Sequence, residues 1–174
     1  MNPVPIELKG KEVALGLRPS GSIVGDDEED TALLRKMVEG ATQYISSFSW
    51  CEAILDSYFG GGVGGIFAVF FFHIRPTRDD IDPWIWIVVG DIPPVYLPLS
   101  DCESPRQVFS SYINGMSRWV EFARKGQQAV ASPRDVPPVD LPPTPECAER
   151  INQKIHGLIL AVKPFFEEES STVN

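Results

Sequence analysis

The sequence is poor in the residues that build metal sites and disulfide frameworks. It has three cysteines, Cys51, Cys102 and Cys147, and two histidines, His73 and His156, among 174 residues. The cysteines are odd in number, widely separated and without a C-x-x-C pair, so neither a disulfide framework nor a zinc knuckle is indicated. The two histidines lack the close spacing of a zinc-binding helix. We therefore expect no metal and no cofactor, and no motif assigns a catalytic residue.

Long apolar runs and basic residues are also scarce. The longest apolar block, 66–72, is far shorter than the roughly 20 residues of a membrane-spanning helix. The N-terminus lacks the basic start and apolar stretch of a secretory signal. The formal net charge is −9, so the long-range field repels nucleic-acid phosphates and anionic lipids. These features predict a cytoplasmic protein that binds neither nucleic acid nor membrane.

The composition is that of an ordinary globular protein, with 43% hydrophobic and 22% charged residues. A chain of this length fits one core. Between Trp50 and Leu99 it is rich in aromatic and β-branched residues with glycine and proline breaks. Strands are predicted near Cys51–Tyr58, Ile66–Ile74, Trp84–Val89 and Pro94–Leu99, with short connections that favour antiparallel pairing. The stretch 67–72 is apolar on both faces, which indicates a central strand.

Three helices are predicted around this sheet. Apolar residues at spacings of three and four follow the acidic run 26–30 and extend to Phe48. Ser104, Pro105 and Gln107 form a helix start, and Gly126 follows a basic end. A third helix begins at 144–146 and ends near Pro164. The sequence thus predicts one α+β domain, 1–174, with an antiparallel sheet of about four strands covered by about three helices.

Three segments fall outside this pattern. In residues 1–25, apolar residues alternate weakly with other residues between proline and glycine breaks, which suggests an extended arm or a hairpin. Residues 131–143 are too rich in proline for a helix or an inner strand and predict an extended strap on the surface, although a proline-dependent recognition segment stays open. Residues 167–174 predict a frayed acidic tail. Gly60, Gly62 and Gly65 match G-x-G-x-x-G, but they precede a strand instead of a helix, so we expect a mobile hairpin loop.

Two groups of carboxylates stand out as partner-binding candidates. The first comprises Asp26, Asp27, Glu28 and Glu29, and the second comprises Asp79, Asp80 and Asp82. Complementary charge speeds association with a basic protein. One hypothesis is therefore a non-enzymatic interaction domain, specifically an immunity or inhibitor protein that covers a basic partner such as a toxin. Solvated turns and helix starts are the alternative interpretation of the same carboxylates.

A second hypothesis places chemistry at a pocket containing Asp91, His73, Trp84 and Trp86. Asp91 follows a strand end, and together with Asp80 or Asp82 it could act in acid–base chemistry or bind a cation. This would make the protein a small hydrolase or a cation-dependent enzyme. Trp84 and Trp86 share one face of a strand, so they either lie in the core or form an exposed anchor. Exposure would favour a structural subunit that dimerises, and both a monomer and a homodimer stay open.

Four stretches carry a resemblance to other proteins: Phe48-x-Trp50-Cys51, Phe67 to His73, Trp84-x-Trp86-x-Val88-Val89-Gly90-Asp91-Ile92-Pro93-Pro94-x-Tyr96-Leu97, and Pro142-Pro143-Thr144-Pro145-Glu146. They resemble a group of small bacterial proteins that have no assigned activity. The resemblance implies a bacterial source and an α+β domain. It carries no functional residue to this chain.

Overall fold

A computed structural model describes residues 2–126 and 139–167. Within them the chain forms an α+β domain with one antiparallel five-stranded sheet and four α-helices. The elements in chain order are α1 (Ile6–Leu15), β1 (Arg18–Pro19), α2 (Glu28–Ser46), β2 (Cys51–Val63), β3 (Phe67–Pro76), β4 (Trp84–Gly90), β5 (Val95–Pro98), α3 (Pro105–Arg124) and α4 (Pro145–Glu167). The predicted fold class is confirmed, with one more strand and one more helix than expected.

The sheet is a meander in which strands adjacent in sequence are adjacent in space. β3 lies at its centre and is apolar on both faces, as its sequence predicts. Phe67, Val69 and Phe71 pack into the cluster that contains residues of α3 and α4, whereas Phe70 and Phe72 pack into the cluster that contains residues of α2. This division follows from the alternation of side chains along a strand. The helices therefore cover both faces of the sheet.

The N-terminal segment differs from its prediction, because α1 replaces the expected arm or hairpin. Gly10 and Ala14 are the buried residues of this helix. A Cβ atom at Gly10 would lie 2.3 Å from the Trp84 indole, so the absence of a side chain lets the helix pack directly on that ring. No side chain caps the helix start at Pro5, which explains why the usual sequence signals are missing. Only Arg18–Pro19 forms a strand here.

The glycine run also differs from its prediction. β2 extends through it to Val63, so Gly60 and Gly62 lie in a strand and not in a mobile loop. Gly62 has φ +153°, and a Cβ atom there would lie 2.3 Å from the Phe67 carbonyl oxygen. Glycine is required at this position because β2 and β3 approach closely. Residues 64–66 form the tight turn between β2 and β3.

β2 is an irregular strand beside the two-residue edge strand β1. Its register with β3 shifts at three places, between Cys51 and Ala53, Ile54 and Asp56, and Phe59 and Gly61. On its outer side, β1 pairs only with Tyr58 and Phe59. Most of the outer edge of β2 is thus not covered by β1.

The predicted helix boundaries rest on capping contacts that the structure contains. Ser104 Oγ accepts a hydrogen bond from the Gln107 N–H at 3.3 Å, and Gly126 follows α3 with φ +58°. At α4, Thr144 Oγ1 accepts from the Cys147 N–H at 3.2 Å. α4 continues to Glu167 instead of ending near Pro164. Pro164 lies inside the helix and has no backbone N–H to donate to the carbonyl four residues earlier.

Most of the proline-rich strap and the acidic tail lie outside the described residues. At the end of the strap, Val139 and Leu141 are partly buried and pack against the core. The strap as a whole stays a prediction.

Candidate functional site

The first predicted acidic group lies at the N-terminus of α2 and is held by its own hydrogen bonds. Asp27 is the N-cap residue, and its Oδ1 accepts from the Asp30 N–H at 2.8 Å. Asp30 accepts from the Gly64 N–H at 2.7 Å and from the Asp26 N–H at 2.9 Å. These bonds tie the helix start to the turn between β2 and β3. The side chains at 26–29 remain exposed.

Exposed apolar side chains lie next to these carboxylates. Val24 is 63% exposed, Leu33 is 38% exposed and Ile66 is 40% exposed. Leu33 contacts the β2–β3 turn, since a Cβ atom at Gly64 would lie 2.7 Å from Leu33 Cβ. Ile66 belongs to the same turn. We call the surface formed by Val24, Asp26, Glu28, Glu29, Leu33 and Ile66 the acidic end.

The second predicted acidic group lies at the opposite end of the sheet. Asp79, Asp80 and Asp82 belong to the connection between β3 and β4. The ten residues of β3 separate this connection from the β2–β3 turn by about 30 Å. The two acidic groups therefore do not form one compact surface, and the role of each as a partner contact stays a prediction.

Two of these three aspartates already have local partners. Asp82 accepts hydrogen bonds from the Trp84 N–H at 3.0 Å and the Ser100 N–H at 3.2 Å, and burial raises the pKa of its carboxyl group. Asp80 forms an exposed ion pair with Arg78 at 3.1 Å. Asp82 thus holds the β3–β4 connection against the segment that follows β5. This contact fits the alternative interpretation of these carboxylates, in which they stabilise turns.

The alternative pocket predicted from Asp91, His73, Trp84 and Trp86 is not assembled. His73 pairs with Trp84 at the start of β4, whereas Asp91 follows the last residue of β4. The seven residues of that strand place the two ends about 20 Å apart. Asp80 and Asp82 lie before β4 and are equally remote from Asp91. The carboxylate pair that the hydrolase hypothesis needs does not form.

Both tryptophans belong to the core. Trp84 is 2% exposed and Trp86 is 0% exposed. Trp86 Nε1 donates to the Cys102 carbonyl oxygen at 2.8 Å, so the one polar group of this side chain has a hydrogen-bond partner within the core. The core interpretation is confirmed, and a dimer interface through these two rings is excluded.

His73 is a partnered histidine beside α1. Its ring stacks on Trp84 with centroids 4.0 Å apart. Nε2 lies 3.5 Å from Glu7 Oε2 and Nδ1 lies 3.9 Å from Asp56 Oδ2. Cys51 packs into the cluster on the other face of the sheet and burial raises the pKa of its thiol. Cys51 and His73 therefore lie on opposite faces of the sheet.

A concave site that the sequence analysis missed lies between α2 and α4, and we call it the α2–α4 cleft. Its volume is about 900 Å³, and Tyr44, Phe48, Tyr96, Arg150 and Lys154 are among the residues that line it. Asp91 belongs to it too, and its Oδ1 accepts from Lys154 Nζ at 2.9 Å. The sequence signal for this site was the four-residue spacing of Arg150 and Lys154, which places both basic residues on one face of α4. The sequence could not show that the aromatic residues would face them.

The cleft has an aromatic wall and a polar rim. Burial, with a smaller effect of Tyr96, raises the pKa of Tyr44 to about 12. Tyr96 contacts Phe48 and Trp50, with ring centroids 5.2 and 5.3 Å apart. On the opposite wall, an Arg150 guanidinium N–H donates to the Cys147 sulfur at 3.6 Å. The cleft can therefore accept an apolar body together with one charged group.

Across residues 2–126 and 139–167, no group of three or more His, Cys, Asp or Glu side chains could hold a metal ion. None of the helices in this described part is long and apolar enough to cross a membrane.

The sequence matches no protein-family model, no curated protein and no solved structure.

Proposed function

We propose that this protein is a non-enzymatic interaction domain that binds a basic partner protein through the acidic end. The observation that carries the proposal is the contact between Leu33 and the β2–β3 turn, which places exposed apolar side chains beside Asp26, Glu28 and Glu29. Exposed apolar groups rimmed by polar residues are typical of protein interaction sites.

The charges around this surface favour a basic partner. The protein carries a net charge of −9, and the side chains at 26–29 are exposed at its end. Such a field raises the rate of encounter with a cationic surface. Leu33 and Ile66 would then supply the desolvated centre of the contact, where most of the binding energy of an interface resides.

The hydrogen bonds of Asp30 make this surface rigid before binding. They join α2 to the β2–β3 turn and so keep the apolar and acidic groups in a fixed arrangement. A preformed surface loses less conformational entropy on association. This is expected of an inhibitor or immunity protein, in which a small domain covers a larger partner.

Capture of partners from the native host, with identification by mass spectrometry, tests the proposal. The variant Asp26→Asn/Glu28→Gln/Glu29→Gln removes three charges from the acidic end and keeps the Asp27 cap and the Asp30 bonds. The control Glu52→Gln/Asp79→Asn/Asp80→Asn removes three charges at the opposite end. We expect the wild type and the control to retain the same basic protein at low salt and the first variant to lose it. Retention should fall at high salt, because added ions shorten the range of the interaction between exposed charges below its value of about 8–10 Å at physiological ionic strength.

Two further measurements address the apolar contact and the inhibitor role. Leu33→Ser should weaken retention without changing the net charge. Expression of the captured partner alone should slow bacterial growth, and coexpression with this protein should restore it. If the acidic-end variant retains the partner as well as the wild type, or if no basic protein is retained, the proposal is wrong.

A further inference from the structure

The α2–α4 cleft has the size and composition of a small-molecule site. Its volume of about 900 Å³ lies within the range of roughly 300–1,000 Å³ that ligand pockets occupy. Tyr44, Phe48 and Tyr96 provide aromatic surface on one side, and Ile151 and Leu141 add apolar surface. Apolar walls with a few polar groups are the usual construction of such pockets.

The charged groups of the cleft are not equivalent. The Lys154 ammonium is bonded to Asp91 at 2.9 Å, so its charge is largely compensated. Within the described residues, the hydrogen bond of the Arg150 guanidinium goes to the Cys147 sulfur at 3.6 Å. Sulfur is a weak acceptor, and a guanidinium has five N–H donors. Arg150 therefore has donors left for a ligand.

We propose that the α2–α4 cleft binds a small carboxylate with an aromatic or branched apolar body. The planar fork of Arg150 matches a carboxylate in a bidentate arrangement, while the body of the ligand lies against Tyr44, Phe48 and Tyr96. A singly charged group fits better than a phosphate, because Asp140 also lines the cleft and would repel a doubly charged anion.

Four simple compounds separate the contributions of charge and body. 3-Phenylpropionate has both the carboxylate and the ring, acetate lacks the ring, phenethylamine reverses the charge, and phenyl phosphate replaces the carboxylate. Trp50 provides the readout, because its ring lies 4.9 Å from that of Phe48 and 5.3 Å from that of Tyr96. We expect a saturable change of tryptophan fluorescence with 3-phenylpropionate, a weaker effect of acetate and phenyl phosphate, and none with phenethylamine. Calorimetry on the same protein gives the affinities.

Variants of Arg150 connect this binding to the cleft. Arg150→Gln should weaken 3-phenylpropionate binding about ten-fold or more, since hydrogen bonds to charged groups are worth about 1.5–3 kcal/mol. Arg150→Lys should bind with intermediate affinity, because it keeps the charge and loses the fork. Arg35→Gln, on the exposed surface of α2, is the matched control and should bind like the wild type. Equal affinity of the wild type and Arg150→Gln, tighter binding of phenethylamine or phenyl phosphate, or no binding of 3-phenylpropionate would overturn the proposal.

Discussion

The carboxylate of Asp30 accepts a 2.7 Å hydrogen bond from the backbone N–H of Gly64, which lies 34 residues further along the chain. The same side chain accepts from the Asp26 N–H at 2.9 Å. One carboxylate thus satisfies two backbone donors that belong to different elements, the segment before α2 and the turn between β2 and β3.

Asp30→Asn should destabilise the fold. An amide has one acceptor oxygen, so one of the two N–H groups loses its partner, and we expect a loss of about 1–3 kcal/mol in the free energy of unfolding. Urea denaturation measures this loss. Asp79→Asn removes the same charge from an exposed position and should stay within about 0.5 kcal/mol of the wild type. Equal effects of the two variants would contradict the role given to Asp30.

Gly62→Ala should destabilise the protein strongly, because the new methyl group would lie 2.3 Å from the Phe67 carbonyl oxygen at φ +153°. Gly40→Ala provides the opposite case, since a Cβ atom there has no atom within 4 Å and the residue lies inside α2. Alanine is favoured over glycine in a helix by about 1 kcal/mol, so this variant should be more stable than the wild type. Thermal unfolding of both variants tests the pair; a Gly62→Ala protein as stable as the wild type would refute the close approach of β2 and β3.

The parts of the fold that sequence analysis predicted depend on local patterns. β3 was recognised because 67–72 is apolar on both faces, and α3 was recognised because Ser104 and Gln107 form a capping pair within four residues. Such signals are contained in a short window of sequence. They do not depend on which other element packs against it.

The parts that were missed depend on contacts between distant residues. α1 is positioned by Gly10 against Trp84, and no pattern within residues 1–25 indicates that they pack against this tryptophan. The same holds for the α2–α4 cleft, where Tyr96 and Arg150 come from elements far apart in the chain. At the acidic end, the charged residues were found from the sequence, but their apolar neighbour Ile66 was read as part of a strand.

Gly10→Ala should displace α1 from the sheet. A methyl group 2.3 Å from the Trp84 indole forces the helix outward, which also threatens the 3.2 Å hydrogen bond from Trp84 Nε1 to Glu7. Overpacking of this kind costs about 1–3 kcal/mol. Hydrogen exchange should show faster exchange of the α1 amides with little change in β3. Gly157→Ala on α4, where the added atom has no neighbour within 4 Å, is the control and should leave α1 protection unchanged.

The stability contributed by Asp82 should depend on pH. Burial raises its pKa in the folded protein, whereas in the unfolded chain an aspartate titrates near 3.9, about its reference value. The folded state therefore binds the proton more tightly, and stability falls as the pH rises from about 4 through the folded pKa and then levels off. Denaturation of the wild type and Asp82→Asn at a series of pH values should give a difference that declines over this window. A difference that grows with pH would mean that the two backbone hydrogen bonds outweigh burial.

The three register shifts of β2 have a consequence for how copies of this protein behave at high concentration. A flat outer strand is a template on which a strand of another molecule can continue the hydrogen-bond ladder. Bulges bend and twist a strand. They interrupt β2 at three points, so a regular strand of another molecule could not pair with β2 along its whole length. Exposed Glu52 and Asp56 add like-charge repulsion between two such edges. The domain thus keeps a long, apolar central strand while giving a second molecule a poor place to begin a shared sheet.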